Sequence, residues 1–454
     1  MNTQSVVERI REIIDDDTLV QLREELDNYH VADLADIFQE LKPDERLTCF
    51  KLLDIEKAAD LMEYLNPQIQ VELLGDIDEE MASRILTKLP HDAAADVLGD
   101  MEDDESETYL DKLPHKFSEE VRELLTYDED TAGGMMNPVV LTVNSDMSVK
   151  DVLNHIRISA TEDNMELYYV YVVDKHNHLM GVVSLRKLLT SPINQKVQDI
   201  MISDIVKLHV DDYSDFIIDE FMKYQYNALP VVDLYNRLKG MITWDDVHDL
   251  FEEETTEEIL QSSGISTEVV DEDEILSGNM FKAIRARTPW LFITLLGEFV
   301  AVHVANHFEP TFSVLPIVAA FMPLLAGLGG NIGTQSITLM VRGLSTGQVT
   351  MGSALHHILR ETCIGAMIGM FFGMIVLFAT WGWKNSIGLG CVVGLAMAVN
   401  MTMATVIGTL TPLALKSINI DPAVASGPVI ATTIDVVGLL VYFSLVSLYL
   451  VHIV

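Results

Sequence analysis

Apolar and polar positions follow three different rhythms along this chain. From Pro289 onward the sequence is a series of long apolar segments, at 289–308, 313–340, 355–381, 386–411 and 423–451. Each meets or exceeds the ~20 residues that carry a helix across a hydrocarbon core, so five membrane spans with short connections are expected. Before residue 131 the apolar positions recur at helical spacing in short stretches. Leu41, Leu65, Leu89 and Leu113 return every 24 residues, each beside a proline, in LKPDER, LNPQIQ, LPHDAA and LPHKFS. A unit of that length holds two short amphipathic helices, with proline entering at a first turn. Stacked units of this kind form a small α-solenoid. Between residues 132 and 255 the rhythm becomes that of strands. VYVVDKHNHLMGVVSLRKLL and LPVVDLYNRLKGMITWDDVHDL align without gaps at a shift of 59 residues. Each copy reads strand, turn, strand, helix, preceded by an extended run and an amphipathic helix: a duplicated β-α-β-β-α unit.

Charge divides the chain at the same place. The 454 residues carry 69 acidic and 29 basic side chains, a formal charge of −40, while mean hydropathy is +0.24. Seven Lys/Arg and five Asp/Glu lie from Asn279 onward, which puts that part near +2 and the preceding part near −42. Phosphate would be repelled by so acidic a body, so nucleic acid is excluded as a partner and cations are expected instead. Cys49, Cys363 and Cys391 show no pairing pattern, which rules out a disulfide scaffold. MNTQSVVERIREIIDDD lacks a basic stretch leading into an apolar one, so no cleaved signal peptide is expected and the acidic part is placed in the cytosol. With that placement Lys282, Arg285, Arg287, Arg342, Arg360 and Lys416 lie inside and only Lys384 outside. This positive-inside bias sets the N-terminus in the cytosol and the C-terminus outside. Trp290, Trp381 and Trp383 fall where an aromatic belt belongs.

Ionisable groups inside spans are costly and mark pathways or partners. Asp435 is the first candidate. It follows SGPVIATTID, where Pro428 removes a backbone donor and Gly427 loosens the helix, so carbonyls there could face a cavity beside the Thr432 and Thr433 hydroxyls. The alternative is a carboxylate bonded to a neighbouring helix. In span two, PLLAGLGGNIGTQS offers Gly327, Gly329, Gly330 and Gly333 for an irregular turn at membrane depth, with Asn331, Thr334 and Gln335 as oxygen donors. Glycine-mediated helix packing is the competing reading. Glu298 is a weaker candidate, and Glu361, directly after Arg360, reads as half of an interfacial ion pair. His303 and His307 are spaced i, i+4 but have no third ligand nearby. In the acidic part, Asp92, Asp96 and Asp100 form one stripe at i, i+4, i+8 on an acidic convex face. Asp246, Asp249, Glu254, Glu257 and Glu258 form a second acidic surface, on helical segments leading to the first span. Packing such like-charged faces together requires counter-cations.

The duplicated unit resembles a tandem pair of CBS domains, modules that sense adenosine nucleotides or ions. The adenosine pattern, a hydroxyl followed three residues later by an acid, survives only as Thr243 and Asp246; the first copy has Ser184 and Lys187. Together with PLLAGLGGNIGTQS, RTPWL, RETCIGAMIG and SGPVIATTIDVVG, the order of modules resembles the MgtE family of magnesium channels and transporters. The resemblance implies a multidomain protein: an α-helical repeat domain at 1–131, CBS domains at 132–199 and 200–255, a connecting helix at 256–287 and a five-helix pore domain at 288–454. It also implies a homodimer in an inner membrane, with a pore lined by spans two and five. Asp435 then looks like the selectivity carboxylate, with the backbone at Ala431 and the turn at Asn331 contributing. Regulatory Mg²⁺ would sit at Asp92, Asp96, the Gly134 backbone, Asp246, Asp249, Glu254, Glu257 and Glu258. ATP at the CBS pair is allowed by the same resemblance. Gln225 stands where relatives often carry an acid.

The function expected is passive Mg²⁺ influx, closed by Mg²⁺ on the acidic domains. No phosphate-binding loop for nucleotide hydrolysis occurs and no nucleophile–base constellation is visible, so an enzyme is not expected. The membrane potential favours entry of a dication by ~4.6 kcal/mol per 100 mV. The alternatives are a broader Co²⁺, Mn²⁺ or Ca²⁺ permease, which the absence of a soft-ligand cluster disfavours, and a CBS-based membrane sensor.

Overall fold

The structure is a computed structural model that describes residues 3–16, 18–159, 167–266, 280–418, 422 and 427–453. The chain divides into two compact units, Met1–Phe251 and Glu252–Val454.

In the first unit, ten short helices, α1 to α10, lie between residues 3 and 124. The 24-residue punctuation acts as expected. Pro43 and Pro67 occupy the first turns of α4 (Pro43–Phe50) and α6 (Pro67–Asp76). Pro90 and Pro114 stand just before α8 (His91–Gly99) and α10 (His115–Leu124). Alternate helices start on aspartate caps, Asp54 accepting from Lys57 N at 2.8 Å and Asp78 from Met81 N at 2.9 Å. Leu41, Leu65, Leu89 and Leu113 are all buried, so the repeated leucine is what ties each helix pair to the stack.

A four-residue helix, α11 (Ala132–Met135), leads into the duplicated unit. The first copy holds β1 (Thr142–Asn144), α12 (Val149–Ser159), β2 (Tyr169–Val173), β3 (Leu179–Ser184) and α13 (Leu185–Thr190). The second holds β4 (Leu208–His209), α14 (Ser214–Tyr224), β5 (Ala228–Val232), β6 (Leu238–Thr243) and α15 (Trp244–Ser262). In each sheet the first strand pairs parallel to the second, and the second antiparallel to the third. The two copies meet through a reciprocal clasp. Asn177 and Asn236, both left-handed at φ 64° and 61°, occupy equivalent hairpin turns. Asn177 Nδ2 donates to Leu238 O at 2.8 Å and Asn236 Nδ2 to Leu179 O at 2.9 Å. Asparagine tolerates that backbone conformation and supplies the donor, which is why it stands at both turns. Tyr171, Val173 and Leu179 pack there against Ala228, Val232, Leu238 and Met241. The first copy has its own core around Val143, Val152 and Val172. The second shares one with the solenoid, in which Leu208, Phe221, Val231 and Ile242 join Leu98 and Val121.

The connecting segment expected at 256–287 is described only in part. α15 runs through the end of the second copy to Ser262 and stops at Gly264, whose φ of +79° no helix accommodates. Helix resumes at Met280, and 267–279 lie outside the described residues.

The second unit holds five helices long and apolar enough to cross a membrane. We call them span one (Met280–His307), span two (Met322–Ser345), span three (Ala354–Lys384), span four (Ile387–Ser417) and span five (Gly427–Ile453). The apolar run expected at 313–340 is divided: a short helix at Glu309–Val314 and a 3-10 turn at Pro316–Phe321 precede span two. The beginning of the fifth apolar segment, 423–426, lies outside the described residues. Spans three and four form a tight antiparallel pair. Gly365, Gly369 and Gly373, one residue per turn on span three, meet Thr405, Ala398 and Gly394 of span four. A Cβ on Gly369 would lie 2.7 Å from Ala398 O, and one on Gly373 would collide with Gly394 O. Small residues at that spacing let helix backbones touch where lipid supplies no hydrophobic drive.

Candidate cation sites

Span five is described from Gly427, which puts Pro428 in its first described turn. The Thr432 and Thr433 hydroxyls turn back onto their own helix, donating to Pro428 O and Val429 O, both at 2.8 Å. One turn on, Asp435 is half-buried, and its Oδ1 is fully enclosed with no hydrogen-bond partner. A carboxylate in that position is costly unless a cation, a proton or water meets it. Span one leans on the same turn: Gly297 meets the Thr432 methyl so closely that no Cβ would fit, and Glu298 follows it.

The glycines of span two make no irregular turn. Met322–Ser345 is one helix, and the glycines form a notch. Ile434, the residue before Asp435, fills it: a Cβ on Gly329 would lie 3.3 Å from Ile434 Cγ2, and one on Gly333 would overlap Ile434 Cδ1. Gly327 and Gly330 face open space. Asn331, Thr334, Gln335 and Thr338 are exposed at helical spacing on the face away from that notch. Thr334 and Thr338 satisfy themselves on Gly330 O and Thr334 O, each at 3.0 Å, which leaves the Asn331 and Gln335 amides as the free polar ends of an otherwise apolar face. Ala431 is half-buried on span five, one turn before Asp435.

Glu361 does not pair with Arg360 among the described residues. It accepts from Ser336 Oγ at 3.2 Å and so ties span three to span two. His303 and His307 are exposed near the end of span one, His307 lying against Phe308 with ring centres 5.4 Å apart.

In the first unit, α8 carries Asp92 not to open solvent but against the second copy of the duplicated module. Asp92 is 9 % exposed and accepts from Asn137 Nδ2 at 3.4 Å. Asp246 faces the same place from the first turn of α15. Burial, then Asp246 and Asp96, push the Asp92 carboxyl well above the usual carboxylate range. Asp96, which still reaches solvent, is pushed up to about 7 by desolvation and by Asp100, Asp246 and Glu129. Asp246 is pushed up to about 6, mainly by desolvation, although Thr243 N and Oγ1 donate to its Oδ2 at 3.1 and 2.5 Å. Thr243 and Asp246 thus cap α15, as Ser184 caps Lys187 N at 3.3 Å in the first copy. Asp249 lies exposed one turn along α15 and adds to the negative field at Asp246.

Gly134 lets α11 lie against the preceding loop, since a Cβ there would stand 2.6 Å from Asp128 O. Glu254, Glu257 and Glu258 fall in the second unit, half-buried on the last turns of α15, and each has an interaction partner. Gln225 ends α14 in a left-handed conformation, φ 55°, with its amide N bonded to Phe221 O at 2.8 Å. Among the described residues no three His, Cys, Asp or Glu side chains converge closely enough to hold a metal ion directly. The sequence reading missed Asn137 and Glu129 at this cluster and, in the membrane unit, Asn400. The only signal for Asn400 was a lone amide in the middle of an apolar span.

Comparison with known proteins matches each part of the chain. Residues 29–130 match the MgtE intracellular N domain, 132–193 and 197–253 match CBS domains, and 322–445 match the MgtE divalent cation transporter domain. The magnesium transporter MgtE of Enterococcus faecalis is 32% identical over 332 residues, 73% of this chain and 72% of that one. That of Thermus thermophilus is 33% identical over 331 residues, with the same coverage. Among solved structures, the cytosolic domain of the Mg²⁺ channel MgtE in complex with ATP aligns at 34% identity and TM-score 0.52, covering 54% of this chain and 99% of that one. The soluble part of a magnesium transporter aligns at 25% identity and TM-score 0.50, covering 56% of this chain and 99% of that one. A solenoid, a CBS pair and five apolar helices thus follow one another in a single matched order, and the chain belongs to the MgtE family of membrane-spanning divalent cation transporters.

Proposed function

We propose that this protein is a Mg²⁺ channel through which the ion enters passively, that it is closed by Mg²⁺ bound to its acidic N-terminal unit, and that it catalyses no reaction. The observation that carries the reading is Asp435: a carboxylate in an apolar span, with one enclosed oxygen left without a partner. Mg²⁺ dehydrates reluctantly and is held through its water shell by one or two carboxylates. A homodimer would set two Asp435 side chains across its axis, enough charge to offset one dication, with Ala431 O and the exposed Asn331 amide beside the path. The names of the relatives and the lack of a soft-ligand cluster both favour Mg²⁺ over Co²⁺ or Mn²⁺. The basic-residue bias supports an N-terminus in the cytosol, a C-terminus outside and, in a bacterium, the inner membrane.

Closure would start at Asp92, Asp96 and Asp246, where like charge is already crowded, with Asp249 and the Gly134 loop at the rim. Bound Mg²⁺ would relieve that repulsion, and α15 with Glu254, Glu257 and Glu258 would pass the change toward span one. ATP is a candidate ligand at Thr243 and Asp246, supported by the nucleotide-bound relative. Rescue of a Mg²⁺-uptake-deficient bacterium is the direct test. Wild type should restore growth at low Mg²⁺, and Asp435→Ala, present in the membrane in equal amount, should not. Equal rescue by both would remove Asp435 from the path.

A further inference from the structure

Asn400 lies at the middle of span four and is 2 % exposed. Its Nδ2 donates to Leu325 O of span two at 2.9 Å. Leu325 opens the notched stretch, four residues before Gly329, and its carbonyl belongs to the helix that carries Asn331. A Cβ on Gly329 would stand 2.6 Å from Asn400 Nδ2. On the other side a Cβ on Gly438 would collide with Asn400 Oδ1, and Gly438 is one turn beyond Asp435 on span five. A single amide is therefore wedged between the two helices that bear Asn331 and Asp435, touching a glycine on each. Among the described residues its Oδ1 is enclosed and without a partner, as Asp435 Oδ1 is.

An amide buried in a lipid-embedded bundle is retained when its hydrogen bond fixes a geometry that apolar packing would leave loose. Leucine would fill the same volume and cost nothing in desolvation. The two glycines exist at this level to admit the amide, because any larger residue on either helix would displace it. We propose that Asn400 is a positioning residue for conduction: it sets the depth of span two against span five, and so the distance between the Asn331 amide and the Asp435 carboxylate. The inference rests on the reading of Asp435 as part of the ion path.

The test is Mg²⁺ uptake by the full-length protein in liposomes, with Mn²⁺ as competitor. Asn400→Leu keeps the volume and removes both amide groups. Its expected effect is a rise in KM for Mg²⁺ and a loss of Mg²⁺-over-Mn²⁺ preference of roughly five- to tenfold, the scale of one hydrogen bond, at a near-normal maximal rate. A purely architectural role would lower the amount of inserted protein and the maximal rate together, with KM and preference unchanged, and that result overturns the proposal. Gly438→Ala pushes a methyl into the amide and is expected to reproduce the shift. If Asn400→Leu does not insert, Gly438→Ala decides, and unchanged KM and preference there overturn the proposal equally. Asp435→Ala is run beside them. If it conducts normally while Asn400→Leu shifts preference, the reading of Asp435 fails and Asn400 positions some other group. If Asp435→Ala is dead and Asn400→Leu is normal, only the role of Asn400 is lost.

Discussion

Removing one charge from the acidic cluster should mimic the cation proposed to neutralise it. Asp92 is the carboxylate to choose, because it is the most enclosed of the three and faces both others. Asp92→Asn preserves its shape and keeps an oxygen to accept from Asn137 Nδ2, which approaches to 3.4 Å. The magnitude can be scaled from its neighbour. Asp246 is pushed up to about 6, some two pH units above a free carboxylate, which corresponds to on the order of 3 kcal/mol to ionise it in place. Most of that figure is the desolvation of Asp246 itself, which Asp92→Asn leaves in place; removing one like charge beside it is worth on the order of 1.4 kcal/mol, a factor of about ten in the docking equilibrium. That is a sizeable share of a domain stability of about 5–15 kcal/mol. The assay is limited proteolysis of the full-length protein in detergent at about pH 7.5, following cleavage in 125–131 between α10 and α11. Wild type in EDTA should be cut readily and be protected by millimolar Mg²⁺. Asp92→Asn in EDTA should be cut about tenfold more slowly, with little further protection from Mg²⁺. Equal cleavage of both proteins in EDTA, with the same Mg²⁺ midpoint, would refute the charge-crowding account of this contact.

Two further outcomes follow from the same physics applied elsewhere. Because the folded-state values of Asp96 and Asp246 lie above the ordinary carboxylate value, at about 7 and about 6, protons stabilise the docked form. That contribution is fully present below about pH 4 and is lost as pH rises through both values. Protease resistance without Mg²⁺ should therefore fall between about pH 5 and 8 and become flat at saturating Mg²⁺, whereas a flat Mg²⁺-free profile would contradict the assignment. In the membrane unit, Gly373→Val should drive a side chain into the Gly394 carbonyl and lower stability in detergent by ~1–3 kcal/mol, read as a drop in Tm. Gly382→Ala, with open space around it on the same helix, should leave Tm unchanged or slightly raised.

What was legible in the sequence was what neighbours along the chain decide. The prolines and leucines of the 24-residue repeat act within one helix pair, and the strand–turn–strand pattern of each copy acts within one hairpin, so periodicity alone placed them. What was not legible was chemistry completed from far away. Thr243 and Asp246 carry the nucleotide pattern and also form a helix cap, and nothing local announces that Asp92, 154 residues earlier in the chain, crowds the acid. The glycines of span two announced a close approach, but not that Ile434 and Asn400 make it, so the stretch was read as a turn when it is a notch in a straight helix. At those glycines a partner from another segment fills what the residues alone would leave open. The reverse inference is then the stronger one in an apolar bundle. An enclosed atom without a partner among the described residues, as Asp435 Oδ1 and Asn400 Oδ1 are, is where an ion, a proton or water enters the account.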